Sequence, residues 1–377
     1  MVIGNWETFL QPITIFTNHQ SPLFNQSPFP MSDNIVKDIT DATAKLVTGY
    51  DNLVKAEKVE VATTPKELVF KVDKIKLYRY VRDTPAKFKT PVVVSYALVN
   101  RFDMMDIQPD RSFVKNLLDL GLDIYMIDWG YPTRADKDVT MDDYVNWFLN
   151  DIVDFVRKNN DVDSVNLMGI CQGGTLSLIY SALNPTKIKN LITLVTPVDF
   201  STNDGLLFRW SKDMNFDRLV DSYGTVPGEF LNNGFSMLKP MMRVSKYMNV
   251  VDTMQDKDKM MNFLRMEKWI NDSPNQSGEC FRQFMKDLYQ QNKLLKGELV
   301  VGGKKVSLKN VTMPLLNIYA AEDHLVPPAA TIPLNDLVGT KDKELYKFPG
   351  GHIGVFVGSR SQKELAPAVA KWLKNRD

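Results

Sequence analysis

The run Gly169-Ile170-Cys171-Gln172-Gly173-Gly174 constrains this chain more than any other. It reads G-x-C-x-G. The stretch before it, Ser164-Val165-Asn166-Leu167-Met168, has the composition of a buried strand. The stretch after it, Thr175 to Leu183, has that of a helix, stopped by Asn184-Pro185. A strand, a sharp turn permitted by glycine and then a helix make a nucleophile elbow, here with cysteine where serine is more usual. Such a turn presents its side chain at the C-terminal edge of a parallel sheet. It also sets that side chain at a helix N-terminus, where the dipole favours negative charge. Taken alone, the pattern also fits a structural cysteine in a glycine-rich βα turn.

Two downstream segments favour the catalytic reading. The chain has three histidines, His19, His324 and His352. His352 follows a strand-like run and two glycines in Tyr346-Lys347-Phe348-Pro349-Gly350-Gly351-His352. Another strand-like run, Pro314 to Ala320, ends in Ala321-Glu322-Asp323-His324-Leu325-Val326-Pro327-Pro328. The order nucleophile, acid, histidine is that of the α/β-hydrolases, and each member stands where a strand gives way to a loop. The expected triad is Cys171, His352 and Asp323. The expected oxyanion donors are the backbone N–H of Gln172 and, from the loop after Val94, that of Val99.

Other titratable groups have plainer readings. Cys280 lies in a helical pattern and reads as small apolar packing. His324 adjoins the acid in sequence, so its side chain is expected to point elsewhere. His19, in a Pro- and Asn-rich stretch, reads as solvated. Asp323 itself could cap a helix, a role that Val326-Pro327-Pro328 makes less natural. Asp106 and Asp128 flank strand ends, where turn and capping roles suffice.

With 377 residues, 44% of them apolar, the chain can bury a large core and exceeds the usual length of one simple domain. Its 46 basic and 45 acidic residues leave a net charge of +1, which does not point to nucleic acid. Two widely spaced cysteines do not make a disulfide framework and suit a reducing compartment. The first residues lack the pattern of a signal peptide, and no apolar run reaches the roughly 18 residues of a transmembrane helix. No metal-ligand spacing, P-loop or G-x-G-x-x-G occurs, so neither a metal nor a bound nucleotide cofactor is expected.

The expected architecture is an α/β-hydrolase fold with a mostly parallel central sheet and an inserted helical cap. Residues 1–65 read as an N-terminal helical appendage, in which Asp33 to Val61 is amphipathic with Ile35, Ile39, Ala42, Leu46 and Leu53 near helical spacing. Residues 66–200 read as the first half of the core. Val69 to Val72 and Ile75 to Tyr80 alternate like antiparallel edge strands, while Val92 to Tyr96, Asp123 to Asp128 and Leu191 to Thr196 read as buried strands. Residues 201–304 lose that rhythm and become helical, the expected cap; residues 305–377 resume the core. The methionines of the insertion (among them Met237, Met241, Met242, Met248 and Met260) read as core before they read as a substrate groove.

The chain resembles the polyhydroxyalkanoate synthases, in particular the catalytic C subunit of the two-component, class III type. The resemblance rests on Tyr96-Ala97-Leu98-Val99-Asn100-Arg101, Asp106 to Ser112, Ile127-Asp128-Trp129-Gly130-Tyr131-Pro132 and the elbow itself. It continues through Val195 to Phe200, Asn262 to Trp269, Asp323 to Pro328 and Pro349 to Gly354, and covers roughly residues 40 to 377. It implies a cytoplasmic, granule-associated acyltransferase that polymerises short-chain (R)-3-hydroxyacyl-CoA into polyester. Coenzyme A would enter as part of the substrate, and no other cofactor is implied. Cys171 would carry the acyl chain, with His352 as base and Asp323 either orienting the histidine or activating the acyl hydroxyl. The resemblance also implies a partner subunit. Gln172 and the Pro-Gly-Gly-His context point to the E type rather than the R type, and a homodimer is compatible.

Cysteine suits this chemistry because thioester exchange keeps the acyl group activated, whereas a serine ester would discard that activation. Two other readings share the residues: a cysteine thioesterase or dienelactone-type hydrolase with water as acceptor, and an inactive hydrolase-fold scaffold on a granule.

Overall fold

The computed structural model describes residues 33–54, 59–239 and 248–377, together with Met241 and Ser245. His19, Met242 and the first 32 residues of the expected appendage lie outside the described residues.

The first described helix, α1 (Asp33–Val54), ends short of the expected Val61. It is followed by β1 (Lys66–Val72), β2 (Ile75–Tyr80), β3 (Val92–Ser95), α2 (Phe113–Asp119), β4 (Ile124–Asp128), α3 (Asn150–Asn159), β5 (Val165–Ile170), α4 (Gln172–Leu183) and β6 (Ile188–Leu194). Between β6 and the next strand of the main sheet lie α5 (Leu206–Asp213), α6 (Phe216–Tyr223), α7 (Gly228–Leu238), α8 (Val250–Thr253), α9 (Lys257–Asn271) and α10 (Gly278–Gln283). The same interval holds a small hairpin of β7 (Val300–Val301) and β8 (Lys304–Lys305). The chain closes with β9 (Leu315–Ala320), β10 (Lys343–Phe348) and α11 (Ala366–Lys374).

Eight strands form one sheet in the order β1-β2-β4-β3-β5-β6-β9-β10. The first two pairings are antiparallel and the rest parallel. The period-two geometry of strands sorts the central side chains onto two cores. Val93, Leu167 and Leu191 join one cluster; Val92, Val94, Met168, Ile170, Ile192 and Leu194 join the other. Helix α4 is buried from Gln172 to Ala182, as expected of a helix apolar on all sides. The edge strand β10 exposes Lys343, Glu344 and Lys347, charges that discourage pairing with another chain.

The segment between β6 and β9 does not stand apart from the core. Phe208, Phe216, Cys280, Phe281, Phe284 and Leu288 pack in the same cluster as Leu176 and Ile179 of α4. Its methionines divide: Met260 is buried, but Met237, Met241 and Met248 are exposed, so the expectation of core packing is corrected for those three. Helix α1 rests on this segment through polar contacts. Lys45 Nζ lies 2.6 Å from Asp252 Oδ1, and Asn52 Nδ2 donates to the Met254 carbonyl at 2.9 Å.

Candidate active site

The three candidate residues follow three strands of one parallel run. Cys171 comes directly after β5, Asp323 three residues after β9 and His352 four residues after β10. Parallel strands present their C-terminal ends together, which is where an open α/β sheet gathers its site. Two main-chain bonds tie the last two loops to each other: Ala321 N–H donates to the Phe348 carbonyl at 2.8 Å, and Glu322 N–H to that of Gly350 at 2.9 Å.

Cys171 has φ 51° and ψ −122°, a conformation that a side chain rarely adopts and that marks a strained elbow. Close packing holds it there. A Cβ on Gly173 would run into the main-chain oxygens of Ser95 and Tyr96; one on Gly174 would run into the Thr196 side chain. The Cys171 N–H donates to the Leu194 carbonyl at 2.9 Å, anchoring the elbow to β6. Val195, next along, is itself at φ 45°, an unusual value for a β-branched residue. The strain at the end of β5 is therefore matched by strain one strand away.

His352 Nδ1 lies 2.6 Å from Asp323 Oδ2, with the aspartate side chain fully buried. The second aspartate oxygen accepts from the N–H groups of Leu325 and Val326, each at 2.9 Å. Asp323 thus serves an Asx-type turn and a histidine at once, one oxygen for each. On its other side the ring is close enough to the Cys171 thiol for the two to act on each other electrostatically. Burial works against a charge on the imidazole, but the charge of Asp323, the interaction with Cys171 and the hydrogen bond to Asp323 outweigh it. Together they raise the ring from its ordinary 6.5 to about 10. A proton leaving the sulfur therefore meets a ring able to hold it.

Buried phenols lie near the partly accessible thiol. Tyr96 and Tyr289 are buried, and burial pushes both phenols far above their ordinary range, with Cys171 adding to the effect. Gln172 is the first residue of α4, so its N–H has no intrahelical acceptor and is free to donate towards a group on the sulfur. The main chain of Ser95 and Tyr96, at the end of β3, abuts Gly173. Val99 sits three residues further on, in the bend before Asn100, without a contact that ties its N–H to the thiol.

The remaining groups have other partners or surroundings. Cys280 is fully buried in α10, and burial pushes its thiol well above the ordinary range. His324 is half-buried, and burial, with Lys239 next, lowers its pKa. Asp106 binds the N–H and hydroxyl of Thr64. Asp128 does more than cap a turn: it grips Arg101 with both oxygens, at 2.6 and 3.1 Å, and also accepts the Gly130 N–H.

Sequence reading assigned no role to Tyr289 or Gln276. Both belong to the segment inserted between β6 and β9, remote in sequence and without a periodic signature. Gln276 nevertheless meets the elbow, with Gln172 Nε2 donating to its Oε1 at 3.4 Å, and pairs through its backbone with Val226. The same segment touches the core elsewhere: Trp269 Nε1 donates to the Arg101 carbonyl at 2.7 Å, and the Tyr131 hydroxyl to Asp272 Oδ1 at 2.7 Å.

Among the described residues no group of three or more His, Cys, Asp or Glu is placed to hold a metal ion, and no helix is long and apolar enough to cross a membrane.

This sheet, elbow and strand-end loops define an α/β-hydrolase fold, and the family model of that fold matches residues 91–359. The crystal structure of BpoC from Mycobacterium tuberculosis H37Rv shares it, with a TM-score of 0.51 at 13% identity over 81% of this chain and 98% of that one. The chain belongs to the poly(3-hydroxyalkanoate) polymerase family. It is 50% identical over 347 residues to the poly(3-hydroxyalkanoate) polymerase subunit PhaC of Allochromatium vinosum, covering 91% of this chain and 98% of the relative. To the subunit of the same name in Synechocystis it is 46% identical over 346 residues, covering 89% and 92%. A model described as the N-terminus of poly-beta-hydroxybutyrate polymerase (PhaC) matches residues 31–117. The fold class and the family expected from the sequence are both met, and the relatives fit the class III type.

Proposed function

We propose that this chain polymerises (R)-3-hydroxyacyl-CoA into polyester through an acyl thioester on Cys171. The observation that carries the reading is the convergence of Cys171 with the hydrogen-bonded pair His352–Asp323 at the strand ends of a polymerase-family chain. In the first step the Cys171 sulfur attacks the thioester carbonyl while its proton passes to His352 Nε2. The coenzyme A sulfur leaves and takes that proton, so one thioester and one thiol become another thioester and another thiol. In the second step the hydroxyl of one acyl unit attacks the acyl thioester of another. An ester forms, and the released sulfur recovers the proton.

Asp323 would hold the ring by Nδ1 and balance its charge, a role that the 2.6 Å contact supports. Its other oxygen is occupied by the Leu325 and Val326 N–H groups, which supports orientation over direct work on the hydroxyl. The Gln172 N–H would receive the oxyanion, with Val99 as the second donor. Residues 201–304 would act as a cap that keeps out water, the competing nucleophile; the contacts of Gln276, Trp269 and Asp272 with the core support this. A second, E-type subunit would complete the enzyme, and the product would collect as cytoplasmic granules with the protein at their surface.

The test is to supply the purified chain with 3-hydroxybutanoyl-CoA, with and without a co-expressed E-type subunit, and to measure released coenzyme A and insoluble polyester. Polyester, formed faster with the partner, is the expected result. Free 3-hydroxybutanoate in its place would make the chain a thioesterase, and no turnover would make it a scaffold.

A further inference from the structure

Gln172 carries a second feature that its backbone role does not use. The residue is 7% exposed, and its side-chain amide points one end at Gln276 Oε1. The other end, Oε1, is buried without any hydrogen-bond partner. Rotating the amide end for end leaves the problem in place, because one end still faces Gln276 and the other nothing. A buried amide left half-paired costs about 1–3 kcal/mol, and such a group calls for a physical reason. It stands one residue from the nucleophile, on the side that the inserted segment covers.

The acyl unit proposed above has one polar group besides its carbonyl, the 3-hydroxyl. Once the unit is on Cys171 and its carbonyl oxygen faces the Gln172 N–H, the hydroxyl is two carbons away from that carbonyl. It too must be buried among side chains such as Tyr96 and Tyr289. A hydroxyl can donate to an amide oxygen or accept from an amide nitrogen, so it suits the free end in either orientation. We propose that the free end of the Gln172 side-chain amide hydrogen-bonds the 3-hydroxyl of the acyl unit. The same residue would then read the carbonyl with its backbone and the hydroxyl with its side chain. Gln276 acts as a positioning residue that holds the amide by its other end. This rests on the reading of Cys171 as the acyl carrier.

A single-turnover comparison tests it. Wild-type protein is mixed with 3-hydroxybutanoyl-CoA or with butanoyl-CoA, which lacks only the hydroxyl, and coenzyme A release and labelling of Cys171 are followed. The ratio of the two acylation rates is the readout, since a loss of folded protein lowers both rates alike. Wild type should favour the hydroxylated thioester. In Gln172→Leu, which keeps the backbone N–H, that ratio should fall about tenfold, the worth of one ordinary buried hydrogen bond. In Gln276→Leu the ratio should stay above that of Gln172→Leu. An unchanged ratio in Gln172→Leu, or an equal fall in both variants, would overturn the inference and leave the polymerase reading standing. Absence of acylation by either thioester in wild type would overturn both.

Discussion

His352 and Asp323 meet at 2.6 Å between Nδ1 and Oδ2, while the second oxygen of the same carboxylate is held by two main-chain N–H groups. The aspartate cannot turn without giving up three hydrogen bonds, so the ring is fixed at one nitrogen and offers the other to Cys171. In the proposed mechanism a loop turn thereby supports the proton acceptor.

That support should be visible in stability. His352 is raised from 6.5 to about 10 in the folded protein, so its charged form favours folding. The contribution is complete below the unfolded value of about 6.5 and is lost as pH rises through about 10. Urea midpoints of wild type and His352→Gln should therefore lie furthest apart near pH 6 and converge towards pH 10. A gap that is constant or widens with pH would contradict the charge assignment.

The kinetic roles should separate by residue. His352→Gln should slow coenzyme A release in a single turnover by about 10²–10⁴-fold, the usual contribution of a positioned base. Asp323→Asn should slow the same step, because the ring loses its acceptor at Nδ1. His324→Gln should be far milder than either. Normal acylation in Asp323→Asn with failed chain extension would move the carboxylate from the ring to the hydroxyl.

The two cysteines should differ in reactivity. Cys171 is partly accessible, whereas Cys280 is buried with its thiol pushed up. Iodoacetamide on the native protein should label the Cys171 peptide first and reach Cys280 only on unfolding. Cys280→Ala should leave turnover near wild type at a loss of stability on the order of 1 kcal/mol. Equal labelling of both in the native state would contradict the packing of α10.

Gly173→Ala is a sharp test of the elbow. In an ordinary helix the change would stabilise by about 1 kcal/mol. Here the added methyl meets the Ser95 and Tyr96 oxygens, which belong to a central strand and its exit and cannot retreat. The variant should lose about 1–3 kcal/mol of stability, with acylation falling by more than that loss explains. A stabilised, active protein would show that the turn has slack.

Much of this site was legible because its residues carry local signals. A glycine-rich turn between a strand and a helix announces Cys171, and strand-to-loop transitions announce Asp323 and His352; each depends on neighbours a few positions away. The strands read well for the same reason, since Val92, Val93 and Val94, and likewise Leu167 and Met168, alternate between two cores. Contacts made across long sequence distance were not legible. Gln276 reaches Gln172 from a segment without period, and Arg101 finds Asp128 and the Trp269 indole through the meeting of a loop, a strand end and α9. The exposed Met237, Met241 and Met248 were misread because composition reports apolarity and not which face has a neighbour.

The most direct test of the account is the mass of the protein after brief mixing with 3-hydroxybutanoyl-CoA, followed by digestion to locate the adduct. The account predicts one or more 3-hydroxybutanoyl units on the peptide that contains Cys171, lost on treatment with hydroxylamine, and no adduct in Cys171→Ala. Polyester formation by Cys171→Ala, or an adduct carried by Cys280 instead, would contradict it.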